Sequence, residues 1–176
     1  MEVNDVCRPI MLLGTMSHVG KSTVAAALCR SLVLTGKKAA PFKGYNLASQ
    51  SAILSQGEEI GVAQAIQSAA CNIVADGRMN PVMVKETSSR TEFFIRGKRQ
   101  KDFAFAKQRP TTDYLRQEVL AAYQDLQAEY PVCVIEGSGS CGEWNLQTED
   151  IANFWLAEQL QARVFLIADI ERGGVF

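Results

Sequence analysis

Ile10-Met11-Leu12-Leu13-Gly14-Thr15-Met16-Ser17-His18-Val19-Gly20-Lys21-Ser22-Thr23 is the stretch whose reading decides the fold. Four apolar residues lead into a loop bounded by Gly14 and Gly20, and Gly20-Lys21-Ser22-Thr23 opens an alanine-rich segment. Strand, glycine-bounded loop and helix, in that order, are the context a phosphate-binding P-loop requires. The glycines let several backbone N–H groups converge on phosphate oxygens, and the helix N-terminus adds positive potential. The nucleotide-binding residues are then Gly14, Thr15, Met16, Ser17, His18, Val19, Gly20, Lys21, Ser22 and Thr23. Lys21 reads as a solvent-facing cation reaching the β- and γ-phosphates, and Ser22 as a hydroxyl ligand to Mg²⁺. Thr15 stands where the strict pattern has its first glycine, with Gly14 one residue earlier.

Outward from this loop, residues 21–35 carry Val24, Ala25, Leu28, Leu32 and Val33 on one helical face, and Gly36 sits where a C′ residue belongs. Residues 39–42 read as a second strand, so the first three elements form a right-handed βαβ unit and predict a parallel sheet. Val132-Cys133-Val134-Ile135 is a buried strand with Glu136 at its C-terminal end. A strand-end acid beside a P-loop supplies the oxygen ligand a hard cation prefers, so Ser22 and Glu136 are the candidate Mg²⁺ pair. Gly137-Ser138-Gly139-Ser140 then offers flexible backbone near the phosphates. A last strand over 164–168 ends in Asp169, and Arg172 and the Gly173-Gly174 pair follow.

Residues 41–51 read as a polar loop at the sheet edge where open parallel sheets bind ligands. Lys43 offers a cation there and Asn46 a metal or phosphate contact, although a loop lysine and asparagine are more often solvated. The segment 57–70 reads as a packed helix with Glu58 and Glu59 exposed near its N-terminus. Residues 82–96 predict an antiparallel hairpin. From residue 90 to 109 seven basic residues (Arg90, Arg96, Lys98, Arg99, Lys101, Lys107, Arg109) meet two acidic ones, with Phe93, Phe94, Phe103 and Phe105 interleaved. Alternating aromatics fit a solvated basic hairpin better than a nucleic-acid face, and contact with an anionic small substrate is the next reading. Residues 111–129 read as an amphipathic helix and 151–160 as another, capped by Thr148-Glu149-Asp150.

A chain of 176 residues with 47% hydrophobic content suits one α/β domain spanning 1–176. A net charge of -1 gives no bias toward nucleic acid or anionic lipid. No apolar run approaches the roughly 20 residues of a membrane span, and the N-terminus lacks a secretory pattern. Five scattered cysteines (Cys7, Cys29, Cys71, Cys133, Cys141) without a Cys-x-x-Cys pair suggest reduced thiols and a cytoplasmic setting. His18 is the sole histidine, which excludes a His-rich metal centre or a Cys–His pair elsewhere.

Taken together, Gly14-Thr15 with Val19-Gly20-Lys21-Ser22, Pro41-Phe42-Lys43, Glu59-Ile60-Gly61 with Ala63-Gln64-Ala65, Met79-Asn80-Pro81-Val82, Glu136-Gly137-Ser138-Gly139-Ser140, Asn145-Leu146, Asp150-Ile151-Ala152-Asn153 and the run 168–176 closely resemble the N-terminal synthetase domain of the cobyric acid synthase family. That family belongs to the dethiobiotin synthetase-like superfamily, whose ATP-using ligases know the Gly-Thr loop variant. The resemblance implies a three-layer P-loop NTPase-type α/β domain with a mostly parallel sheet, incomplete at its C-terminus. It further implies an ATP- and Mg²⁺-dependent amidoligase that activates side-chain carboxylates of adenosylcobyrinic acid a,c-diamide as acyl phosphates in cobalamin biosynthesis. Lys21, Lys43 and Glu136 would carry the chemistry. Asn46, Ser138, Gly139, Asp169 and Arg172 would line the substrate and phosphate region. Nucleotide and an anionic corrinoid are the implied partners, with a separate glutaminase subunit or a homodimer, and without nucleic acid or membrane. Glutamine hydrolysis is not expected of the chain itself, because no histidine stands ready to activate Cys141. The alternatives are a stand-alone or truncated P-loop ATPase or dethiobiotin synthetase-like protein without corrinoid amidation, and an inactive fragment that keeps the first half of the fold and binds little. A partition ATPase fits less well, since Met16 and Ser17 occupy the place of its extra loop lysine.

Overall fold

The structure, a computed structural model, describes residues 8–86, 91–101, 110–142 and 149–170. Its central sheet has the order β10-β1-β9-β2, with every neighbour parallel. These strands are β1 (Ile10–Gly14), β2 (Ala39–Phe42), β9 (Val132–Glu136) and β10 (Arg163–Ile167). Their alternation sorts the core into two layers. Met11, Leu13, Ala40, Phe42, Cys133 and Ile135 meet Leu115, Val119, Ala122, Tyr123 and Leu126 of helix α3 (Thr112–Glu129), and Leu156 of α4 (Phe154–Gln159). Leu12, Ala39 and Val134 face the other way, against Ala25 and Cys29 of α1 (Lys21–Leu34) and Cys71 just beyond α2 (Val62–Ala70). The result is a three-layer α/β domain. Full burial of each large apolar side chain contributes about 1.5–3 kcal/mol. Truncating fully buried Leu126 to alanine is therefore expected to cost about 2–5 kcal/mol.

Local chemistry ends α1 where expected. Gly36 adopts φ +79°, its N–H reaches Val33 O at 2.9 Å, and Lys37 N–H reaches Leu32 O at 3.0 Å. This is a Schellman cap, which favours glycine at the left-handed position.

A second sheet orders β3 (Tyr45–Ala48), β6 (Val82–Glu86), β7 (Thr91–Ile95) and β8 (Lys98–Gln100). β3 and β6 run parallel, and β6, β7 and β8 run antiparallel. The expected hairpin over 82–96 is present. Arg96 and Gly97, at φ +47° and +78°, make the tight turn into β8. Arg96 pairs with Asp125 at 2.7 Å and Glu118 at 3.4 Å, and Arg99 pairs with Glu92 at 2.8 Å. Two cations of the basic stretch are thus committed to carboxylates of this chain. Arg90, Phe103, Phe105, Lys107 and Arg109 lie outside the described residues.

Three expectations need correction. Residues 41–51 are not one polar loop, because β3 and the start of β4 (Ser51–Ile53) lie within them. There the usual pattern is inverted: polar Asn46 is buried while Leu47 is 61% exposed, so hydrophobic alternation could not reveal the strand. The segment 57–70 is not wholly helical, since β5 (Glu59–Gly61) pairs antiparallel with β4 before α2 begins. Glu59 is half-buried and bonded to Ser51 and Lys85 rather than exposed at a helix end. Finally, α4 starts at Phe154, not Ile151. Asp150 accepts from the N–H groups of Ala152, Asn153 and Trp155, so an Asx-type turn occupies the expected first turn.

Candidate nucleotide site

Parallel order brings the C-terminal ends of β1, β2, β9 and β10 to one edge, where backbone bonds prolong the ladders into the loops. Thr15 N–H reaches Ile167 O at 3.0 Å, Gly137 N–H reaches Leu12 O at 2.9 Å, and Cys141 N–H reaches Gly14 O at 2.9 Å. Loop 14–20 and loop 137–141 are thereby laid side by side, and the Ser140 hydroxyl donates to Thr15 O at 2.7 Å.

Within the first loop His18 and Gly20 take φ +64° and +94°. A left-handed non-glycine is a strained conformation of the kind found at ligand clamps. No side chain caps α1 at Gly20 and no acidic residue stands in its first turn, so the first N–H groups and the helix dipole remain for an anion. Thr15 Oγ1 is buried with no hydrogen-bond partner among the described residues.

Lys21 departs from the expectation of a solvent-facing cation. It is only 6% exposed, and its Nζ donates to Met16 O at 3.0 Å and Gly139 O at 2.8 Å. Its stem crosses Gly14 so closely that a Cβ there would lie 2.6 Å from Nζ. This is why glycine ends the strand. Burial, and then the nearby Lys43 charge, hold Lys21 below the ordinary ammonium value, with Glu136 and Cys141 opposing. An arriving phosphate would supply the counter-charge that two carbonyls supply only in part.

Glu136 is the centre of the constellation, at 1% exposure. Its Oε1 accepts from Ser22 Oγ at 2.8 Å and from Lys43 Nζ at 2.7 Å. Its Oε2 accepts from Gln67 Nε2 at 2.7 Å and Gln64 Nε2 at 3.4 Å. Ser22, Lys43 and Glu136, named from sequence, thus come together on three separate elements of the sheet edge. The two glutamines were missed as functional residues. A signal existed, since Gln64 and Gln67 stand i, i+3 on α2 and are buried where an amphipathic helix carries apolar residues.

The remaining candidates are more dispersed. Asn46 is buried and donates to Asn80 Oδ1 at 3.2 Å and Gln64 Oε1 at 3.5 Å, one residue removed from Glu136. Ser138 is fixed through its backbone: its N–H reaches Asn153 Oδ1 at 3.0 Å, and Asn153 Nδ2 returns to Ser138 O at 2.9 Å. Gly139, at φ +60°, is exposed and supplies the carbonyl for Lys21. Asp169 follows β10 at the same edge and is half-buried; Arg172 lies outside the described residues. Cys29, Cys71 and Cys133 are buried thiols and Cys141 is half-buried.

Ser22 and Glu136 fit a hard cation in the P-loop manner. Among the described residues no three His, Cys, Asp or Glu side chains converge, so these residues offer no all-protein cage. Mg²⁺ beside nucleotide needs only one or two protein oxygens, with phosphates and water completing its shell. Next to these groups a cavity of about 490 Å³ opens, polar at Ser17, Ser138 and Ser140 and apolar at Leu47, Leu115 and Phe154.

A glycine-bounded loop, a buried loop lysine and a strand-end acid on a parallel sheet define a P-loop nucleotide-binding domain. The family described as CbiA, the CobQ/CobB/MinD/ParA nucleotide binding domain, matches residues 10–174, and the chain belongs to it. It is similar to cobyric acid synthase of Clostridium perfringens, 44% identical over 170 residues, covering 96% of this chain and 35% of that protein. It is 47% identical over 169 residues to the probable cobyric acid synthase of Methanoregula boonei, covering 96% and 35%. For cobyric acid synthase of Salmonella gallinarum the identity is 46% over 168 residues, covering 95% and 33%. The chain therefore spans about a third of the length of these curated relatives. No helix among the described residues is long and apolar enough to cross a membrane.

Proposed function

We propose that this domain binds ATP with Mg²⁺ and activates a carboxylate of a corrinoid as an acyl phosphate for amidation, the chemistry of a cobyric acid synthase. The observation carrying this reading is the convergence of Ser22 and Lys43 on one oxygen of Glu136, beside a loop that holds Lys21 and leads into the uncapped N-terminus of α1. In this reading Lys21 and the loop N–H groups hold the phosphates, and Ser22 and Glu136 hold the cation. The cation supplies charge neutralisation on the phosphates, and positioning by the protein does the rest. A substrate carboxylate oxygen forms a bond to the γ-phosphorus as the bond to the β–γ bridging oxygen breaks and ADP leaves. Ammonia then attacks the acyl carbon and phosphate departs with the bonding pair. The neighbouring cavity, lined by Ser138 and Ser140 as well as apolar side chains, supports an amphiphilic acceptor. Ammonia, free or released from glutamine, would supply the nitrogen.

The test is ADP formation by the purified chain with Mg-ATP, ammonia and adenosylcobyrinic acid a,c-diamide. ADP release that depends on the corrinoid, together with an amidated product by mass spectrometry, is expected. Tight Mg-ATP binding without corrinoid-dependent ADP release would favour a nucleotide-binding protein lacking amidation activity.

A further inference from the structure

The geometry points to Gln64 and Gln67 as positioning residues that hold Oε2 of Glu136, so that Oε1 alone is presented to a divalent cation. This inference rests on the reading of Ser22 and Glu136 as the metal pair. An ionised carboxylate offers about four lone-pair directions, and here four donors use them. Two are reachable: Ser22 is half-buried and the Lys43 side chain is 12% exposed. The other two are the amides of Gln64 and Gln67, at 0% and 1% exposure. Helical i, i+3 spacing places both on one face of α2.

The amides are themselves tied back. Gln64 Nε2 also lies 3.4 Å from Gln67 Oε1, and Asn46 Nδ2 lies 3.5 Å from Gln64 Oε1. Asn46 bonds Asn80, whose Oδ1 accepts Gly61 N–H at 3.0 Å and whose Nδ2 donates to Lys43 O at 3.1 Å. A chain of buried amides thus runs from the acid to the start of α2 and to the backbone of Lys43. A buried donor that loses its partner has no water to replace it, so these bonds are costly to break. Ser22 and Lys43 can yield to an arriving ligand, and the glutamines cannot. The amides also satisfy Oε2 without adding charge, which leaves Oε1 as the oxygen aimed at the site.

Outer partners of metal ligands typically control about 10–100-fold in metal affinity. The experiment measures the affinity of a non-hydrolysable ATP analogue with Mg²⁺ and with EDTA, for wild type, Gln67→Met and Gln64→Met. Methionine keeps the length of glutamine and suits a core position, so packing is retained. The expected result is a metal-dependent enhancement reduced at least about tenfold in Gln67→Met, and less in Gln64→Met, with affinity in EDTA unchanged. A merely structural role would lower both affinities in proportion. Folded Gln67→Met and Gln64→Met proteins with the wild-type enhancement would overturn the inference. Should Gln67→Met fail to fold, Gln64→Met decides alone. Wild-type protein binding equally in Mg²⁺ and EDTA would instead overturn the metal reading beneath it.

Discussion

Ser22 Oγ donates to Glu136 Oε1 across 2.8 Å, joining residues 114 positions apart in the chain. One opens the helix after the phosphate loop and the other ends a buried strand, so only the parallel order β1-β9 could bring them together. In register terms Glu136 lies opposite Leu12, two residues before the loop begins. The pair sits where a cation bridging a loop-bound triphosphate would find hard oxygen ligands.

Lys21→Met is expected to lower nucleotide affinity about 10–100-fold, the value of about 1.5–3 kcal/mol for hydrogen bonds to charged groups. Ligand-free stability is expected to change by under about 1 kcal/mol, since burial and the Lys43 charge already disfavour the Lys21 ammonium. Calorimetry and urea unfolding measure the two effects separately. A large loss of stability with unchanged affinity would place the lysine in the scaffold instead.

Gly14→Ala carries a sharper geometric expectation. The new Cβ would lie 2.6 Å from Lys21 Nζ, 2.8 Å from its Cδ and 2.9 Å from Val19 Cγ2. Flexible Lys21 gives way first, so the protein folds but its phosphate cation is displaced. Nucleotide affinity is expected to fall by at least about tenfold while circular dichroism is unchanged. Wild-type affinity would mean Lys21 does not need its present path over the strand end.

Acid sensitivity is expected from Glu59. Burial alone would raise its carboxyl, but the Ser51 hydroxyl and the Lys85 ammonium, with Arg99 beyond them, hold it below the ordinary value of 4.5. A carboxyl lowered in the folded state stabilises above its unfolded value, and that stability is lost as pH falls through the folded value. Glu59→Gln is therefore expected to destabilise by about 1 kcal/mol near pH 7 and by progressively less as pH falls below 4.5. Urea midpoints across that range would show two curves converging at low pH. Parallel curves would exclude this pair as an acid-labile tie between β5 and β6.

The first strand, loop and helix were legible because each level agrees: apolar run, glycine boundary and Schellman glycine all say the same thing. Val132 to Glu136 was legible for a similar reason, four apolar residues ending in an acid. What escaped was polar and buried. Asn46 points inward while Leu47 points out, so β3 reads as a loop until β6 is seen beside it. Gln64 and Gln67 look like ordinary helix residues, and only the distant strand end carrying Glu136 explains their burial. Lys21 looked solvent-facing because sequence does not show the Gly139 carbonyl arriving from another strand.

The most direct test of the account is titration calorimetry of ATP, with Mg²⁺ and with EDTA, into wild-type protein and Ser22→Ala. The account predicts that wild type binds at least about tenfold tighter with Mg²⁺. It predicts that Ser22→Ala loses that difference while keeping the affinity seen in EDTA. Folded wild-type protein that binds no ATP, or Ser22→Ala that matches wild type in Mg²⁺, would contradict it.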